Sequence, residues 1–246
     1  MPSIVWLLYY LGKDKHPESK RMILKIFLYG AFGAVLAFFI EVWLSWSLVF
    51  LGENIEAFPI LFFIVNQFII VALVEELCKF IVVTGKVINH REFDEPVDAM
   101  IYMIVAALGF AALENTLVLF SIGAPYFIRD AAIISSFRFL GATFLHTLAS
   151  GVIGYYLALS FCAEKNKLFI VFKGIVAGVI LHGLFNSSII IIERGLMDSN
   201  MPLFVASFSF LIIILSGTGF FIASKFKELK KLKSTCKINN NYNNYE

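Results

Sequence analysis

Glu75 and Glu76 stand side by side in the stretch VALVEELCKF (71–80), near the end of an otherwise apolar run, with Lys79 one turn on. Four more polar interruptions fall in similar runs: Glu114 with Asn115, Arg138, His146, and His182 with Asn186. An ionisable group in hydrocarbon is expensive, so it faces a cavity or a partner and marks a functional site by default. Carboxylates and imidazoles in a dry layer suit hydrolysis in two ways. A desolvated glutamate can take a proton from water while the imidazoles orient that water or stabilise the developing oxyanion. Alternatively Glu76, His146 and His182 can hold Zn²⁺ with an open position for water, a second glutamate acting as base. The residues themselves leave both chemistries open.

The elements that must position these groups follow from composition. Of the 246 residues, 59% are hydrophobic and only 15% charged, far from the balance of a soluble domain. The apolar residues come in six blocks, approximately 22–50, 58–84, 97–122, 131–162, 168–192 and 202–224, each long enough to cross a bilayer as a helix. They are apolar all round, without the period-two alternation of a membrane β-barrel. The expected fold is all-α, a polytopic transmembrane bundle of six full spans. A short apolar helix, IVWLLYYL (4–11), precedes it and is too brief to span. Residues 1–224 form one membrane-embedded domain, and 225–246 form a basic, Asn-rich tail expected to be disordered.

Lysine and arginine set the orientation. Segments 13–25, 86–91, 165–173 and 225–237 hold five, two, three and six of them, whereas connections 51–57, 123–130 and 193–201 hold none, one and one. The first group is cytoplasmic, and so is the C-terminus. The net charge of +2 is therefore a topology signal, and no nucleic-acid-binding motif accompanies it. Three cysteines show no CxxC metal spacing and receive no role.

Depth ties the polar residues together. At 1.5 Å per residue, Glu75, His182, His146 and Glu114 lie roughly 12, 18, 21 and 24 Å from the cytoplasmic ends of their helices, within reach of one central layer. Glu75 and Lys79 are i,i+4 and can pair, leaving Glu76 to face elsewhere. His182 and Asn186 share a face, above a ridge of Gly174 and Gly178 that lets a neighbouring helix come close. His146, Ser150 and Gly154 make a similar ridge. Blander roles fit other residues: Arg138 as an interhelical clamp, Asp98 as the start of a helix after Pro96, and Glu41, about 28 Å along its helix, as a marker of the outer interface.

VEELCKF, then FDEPVDAMIYMIVAALGFAALEN, then FRFLGATFLHTLASGVIGYYLALS, then ILHGLFN, together resemble the PrsW family of bacterial intramembrane proteases. That family carries EExxK, an acidic loop leading to GFAxxEN, a mid-span His before a GxxxGYYL-like stretch, and HGxxN/D. The resemblance covers about residues 5 to 225, and the order and spacing of four motifs make it specific. By resemblance Glu75, Glu76, Glu114, His146, His182 and Asn186 are the site residues, and Lys79 is the motif lysine. The resemblance implies peptide-bond hydrolysis in the plasma membrane, with a single-pass anti-sigma factor as substrate. The lipid bilayer is the other partner, and no nucleic acid is expected.

Two further readings compete. A CAAX-type or bacteriocin-processing peptidase usually continues its motif as EExxxR, whereas position 79 is Lys and position 80 is Phe. An ion-coupled transporter would show internal repeats and broken helices, and no repeat is seen. HExxH, GxSG and GxGD, the signatures of other intramembrane protease classes, are missing.

Overall fold

The computed structural model describes residues 19–51, 59–88, 90, 92–121 and 128–232, with side chains described within 19–50, 59–88, 90, 92–118 and 141–232. The expected apolar segment 4–11, the tail beyond Leu232 and the side chain of Arg138 lie outside the described residues.

Every regular element among the described residues is helical. The helices are α1 (Lys20–Leu51), α2 (Pro59–Ile64), a π-helical segment (Val65–Leu73), α3 (Val74–Lys86), α4 (Pro96–Ser121), α5 (Ile128–Cys162), α6 (Lys167–Met197) and α7 (Met201–Leu232). The stretch Pro59–Lys86 is one continuous span, so six helices are long and apolar enough to cross a membrane. All six expected spans are present. The last runs on through Leu232, past the expected end at 224, so the first lysines of the tail are helical.

α4 is the central helix: 89% of its most apolar window is buried, against 11% for α7. Small residues in MIVAALGFAA explain how α4 can be surrounded, because lipid gives apolar helices little reason to associate and close backbone packing must do so instead. Gly109 lies under the Phe27 carbonyl of α1, and Gly30 of α1 lies under the Ala106 carbonyl of α4. A Cβ at either position would collide with backbone. On the other side α5 closes in through Gly154, whose Cβ would meet the Met100 Cα of α4 at 2.7 Å. α6 packs on α5 through the expected ridge: a Cβ on Gly174 would meet Tyr156 at 2.5 Å, and one on Gly178 would meet Ile153 at 2.7 Å.

α4 begins as its sequence suggests. Pro96 occupies the first helical position, where a missing N–H costs nothing. The Asp98 carboxylate accepts the backbone N–H groups of Asp94 at 3.0 Å and Glu95 at 2.7 Å, fixing the turn into the span. The π-helical segment was not expected. Segments with i→i+5 bonding are rare and concentrate at functional sites; this one delivers the chain into α3, whose first turn carries Glu75 and Glu76.

Candidate active site

Three spans converge on the α3 glutamates. Glu76 is fully buried and has three neighbours: Lys79 Nζ and His182 Nδ1 each donate to its Oε1 at 2.8 Å, and Ser150 Oγ donates to its Oε2 at 2.8 Å. The Lys79 ammonium is also enclosed. It donates to Glu75 Oε2 at 3.4 Å and to His146 Nδ1 at 2.8 Å, and lies 4.3 Å from the centre of the Phe110 ring. Its three donors and its π partner are all inside the protein, which is the condition for a buried charge to persist.

The imidazoles are oriented by carboxylates on their far sides. His146 Nε2 donates to Glu114 Oε2 at 2.7 Å, as His182 Nδ1 does to Glu76. Each ring nitrogen left over carries a lone pair, and both lone pairs face Glu75: His146 Nδ1 and His182 Nε2 lie 3.8 Å from its Oε2. The rings meet edge to face with centroids 5.0 Å apart. Lys79, Glu76, His146 and His182 are buried, whereas the Glu114 side chain is 26% exposed and gives the cluster its opening.

The structure thus brings together Glu75, Glu76, Lys79, Glu114, His146 and His182 from four helices. Asn186, one turn along α6 from His182, is half-buried and makes no side-chain hydrogen bond among the described residues. Asn115, beside Glu114, donates to Thr143 Oγ1 at 3.2 Å, and its buried Oδ1 has no hydrogen-bond partner among the described residues.

Two expectations need correction. Lys79 is closer to Glu76 (i,i+3) than to Glu75 (i,i+4), so Glu76 does not face elsewhere. The expected set was Glu76, His146 and His182, but the group whose possible ligand atoms all lie within 4.8 Å of one another is Glu75, His146 and His182. Both Glu76 oxygens accept hydrogen bonds at 2.8 Å, whereas Glu75 accepts a longer one, at 3.4 Å, from Lys79. Glu76 supports His182 from behind, as a carboxylate commonly does behind a metal-bound histidine.

These residues fit a divalent ion. A Glu and two His with both tautomers fixed by outer carboxylates is the donor chemistry of a catalytic zinc site. Lys79 shares the His146 lone pair, so an ion bound there would take over that hydrogen bond while the ammonium keeps Glu76.

Sequence reading missed or misread four in-span polar residues. Glu41 on α1 is within electrostatic reach of Glu114, Glu75 and Lys79 rather than only marking an interface. Ser150 was read as part of a packing ridge and in fact holds Glu76. Asn66 and Gln67, hydrogen-bonded to each other at 3.1 Å in the π-helical segment, are in-span polar residues that went unremarked. For all four the signal was available: polar atoms inside an apolar block.

A polytopic bundle that sets carboxylates and paired imidazoles around the buried Lys79 ammonium has the groups a membrane-embedded hydrolase needs. The chain belongs to the PrsW family: the pattern described as "PrsW family intramembrane metalloprotease" matches residues 18–215. Curated relatives agree. The chain is 31% identical over 195 residues to "Protease PrsW" of Geobacillus kaustophilus (strain HTA426), covering 78% of each chain. It is 30% identical over 186 residues to that of Oceanobacillus iheyensis, covering 75% of this chain and 78% of the relative. For Bacillus subtilis (strain 168) the figures are 29% over 188 residues, 75% and 78%. No solved structure matches the chain. The protein is an intramembrane protease.

Proposed function

We propose that Glu75, His146 and His182 hold a divalent metal, Zn²⁺ by donor chemistry, and that the centre hydrolyses a peptide bond of a single-pass membrane protein of the anti-sigma-factor kind. The observation that carries the metal reading is the pair of 3.8 Å separations between Glu75 Oε2 and the two imidazole lone pairs, each ring backed by its own carboxylate. When bound, such an ion supplies a Lewis acid and makes hydroxide available near neutral pH.

The chain's own residues do the rest. Glu76, with Lys79 and Ser150, holds His182 in the tautomer that leaves Nε2 open. Glu114 does the same for His146 from the partly exposed side. Its carboxylate takes the proton released as water adds to the scissile carbonyl and delivers it to the nitrogen as the C–N bond breaks. Water's hydroxyl thus ends on carbon and its proton on nitrogen, giving a carboxylic acid and an amine. Asn186 offers its amide to the developing oxyanion. The closed packing around Lys79 keeps bulk water away from these charges, which strengthens them.

The chain is a single domain in the bacterial plasma membrane, its C-terminus cytoplasmic; the distribution of lysine and arginine along the chain supports this orientation. The substrate class rests on family membership, and the acidic layer at mid-span depth supports a membrane-embedded target.

Cleavage of single-pass candidates from the same cell, with purified protein in liposomes, tests the reading. Wild type is expected to cleave, to lose activity to a chelator and to regain it with added zinc. Glu75→Gln is expected to be inactive under all conditions. Cleavage that persists without Glu75 and Glu76 overturns the site; chelator-resistant cleavage overturns the metal.

A further inference from the structure

We propose that Glu41 is a working carboxylate of the centre: from α1 it supplies negative charge that raises the affinity of Glu75, His146 and His182 for a divalent cation, without itself being a ligand. The proposal rests on the metal reading above and adds a helix, α1, that none of the site motifs includes.

Three observations carry it. The first is the face on which Glu41 lies. Ala34 and Ala37 are buried and form one cluster with Cys78 of α3 and Phe110 of α4. Glu41 follows Ala37 by four residues, so it stands on the same face of α1, one turn farther along.

The second is its level. Ile40, Val74 and Leu113 are packed against that same cluster, one from each helix. Each is followed directly in sequence by a glutamate: Glu41, Glu75 and Glu114. The three carboxylates therefore leave their helices at one level around one seam, and Glu41 interacts electrostatically with Glu114, Lys79 and Glu75.

The third is charge balance. Glu76, Glu75 and Glu114 each have a polar partner within the cluster. Glu41 makes no hydrogen bond or ion pair with any described residue, although it stands half-buried in a span. Lys79 is the one ammonium facing these four carboxylates among the described residues, and it is already committed to Glu76 and Glu75. Buried charges persist when paired or when they act on a metal. A dication bound among these carboxyls would favour their ionised forms.

Glu41 lies outside the donor set whose atoms converge within 4.8 Å. It therefore acts through space. Removing one negative charge near a dication in a poorly screened setting should weaken binding about tenfold or more while leaving the coordination unchanged.

The full chain in nanodiscs, stripped with chelator, is titrated with Co²⁺, whose absorption bands report its ligands, and with Zn²⁺ in competition. The variants are wild type, Glu41→Gln, Glu41→Asp, Glu75→Gln and, as a distant carboxylate control, exposed Glu193→Gln. Wild type and Glu193→Gln are expected to bind one ion with equal affinity. Glu41→Gln should bind about tenfold or more weakly with unshifted bands, and Glu41→Asp within about threefold of wild type. Glu75→Gln should lose the bands. Should Glu41→Gln fail to fold, Glu41→Met, whose unbranched apolar side chain suits a span, makes the same comparison. Wild-type affinity in the charge-neutral variant overturns the proposal, and shifted bands would make Glu41 a ligand and overturn it too. No ion bound by wild type defeats the metal reading, and this inference falls with it.

Discussion

Lys79 Nζ and Glu76 Oε1 lie 2.8 Å apart within a single turn of α3, both side chains closed off from the surroundings. Taking away one member of such a pair leaves its partner charged and buried. Lys79→Met should therefore destabilise the protein by about 3–5 kcal/mol and abolish cleavage. Unfolding followed by circular dichroism in detergent, beside a proteolysis assay, checks both. Unchanged stability would mean that the ammonium is not the charge holding the centre together.

Glu114 orients His146 in addition to its proposed part as the base. Glu114→Gln keeps the shape of the side chain but removes the charge that orients the ring, which should cost about 10–100-fold in metal affinity, and with the base gone cleavage should fall further, by about 100–10,000-fold. Asymmetry between the imidazoles is the sharper check. Glu114→Gln should leave stability near wild type because the side chain is partly exposed, whereas Glu76→Gln should lower it measurably.

Glu75 and Glu76 are adjacent but not equivalent. Stoichiometric metal analysis of the purified variants should find no ion in Glu75→Gln and a reduced but measurable content in Glu76→Gln. Equal losses in both would show that the two carboxylates share one role.

Close helix contact can be tested away from the chemistry. Gly109→Ala must push into the Phe27 carbonyl and is expected to cost about 1–3 kcal/mol. A Cβ on Gly85 meets nothing within 4 Å, and Gly85→Ala should be neutral or stabilising by about 0.5–1 kcal/mol, since alanine loses less backbone freedom in a helix. The same unfolding experiment ranks the two.

The spans were readable because hydrocarbon admits few alternatives to a long apolar helix. The central layer was readable too, since Glu75, Glu114, His146 and His182 had matching depths counted along their helices. Counting failed for Glu41. α1 covers Lys20–Leu51, roughly 48 Å at 1.5 Å per residue, well beyond a core of about 30 Å. A depth measured from its first residue therefore overstates how far Glu41 sits toward the outer face. Spacing also misled at Lys79: both i,i+3 and i,i+4 partners were available, and the choice fell to His146 and Ser150, which come from helices far along the chain. Which glutamate faces both imidazoles depends on side-chain directions from three helices at once, and no single motif contains that information.

The turn that joins Glu76 to Lys79 also bears on how the chain enters the bilayer. Along the chain α3 precedes α5 and α6, which carry the two histidines. Because Lys79 pairs within its own turn, the segment can enter carrying most of its charge already matched and then hand its remaining valences to His146, Ser150 and His182 as those helices arrive. The local pair needs only α3, whereas the contacts to His146, Ser150 and His182 need the later spans.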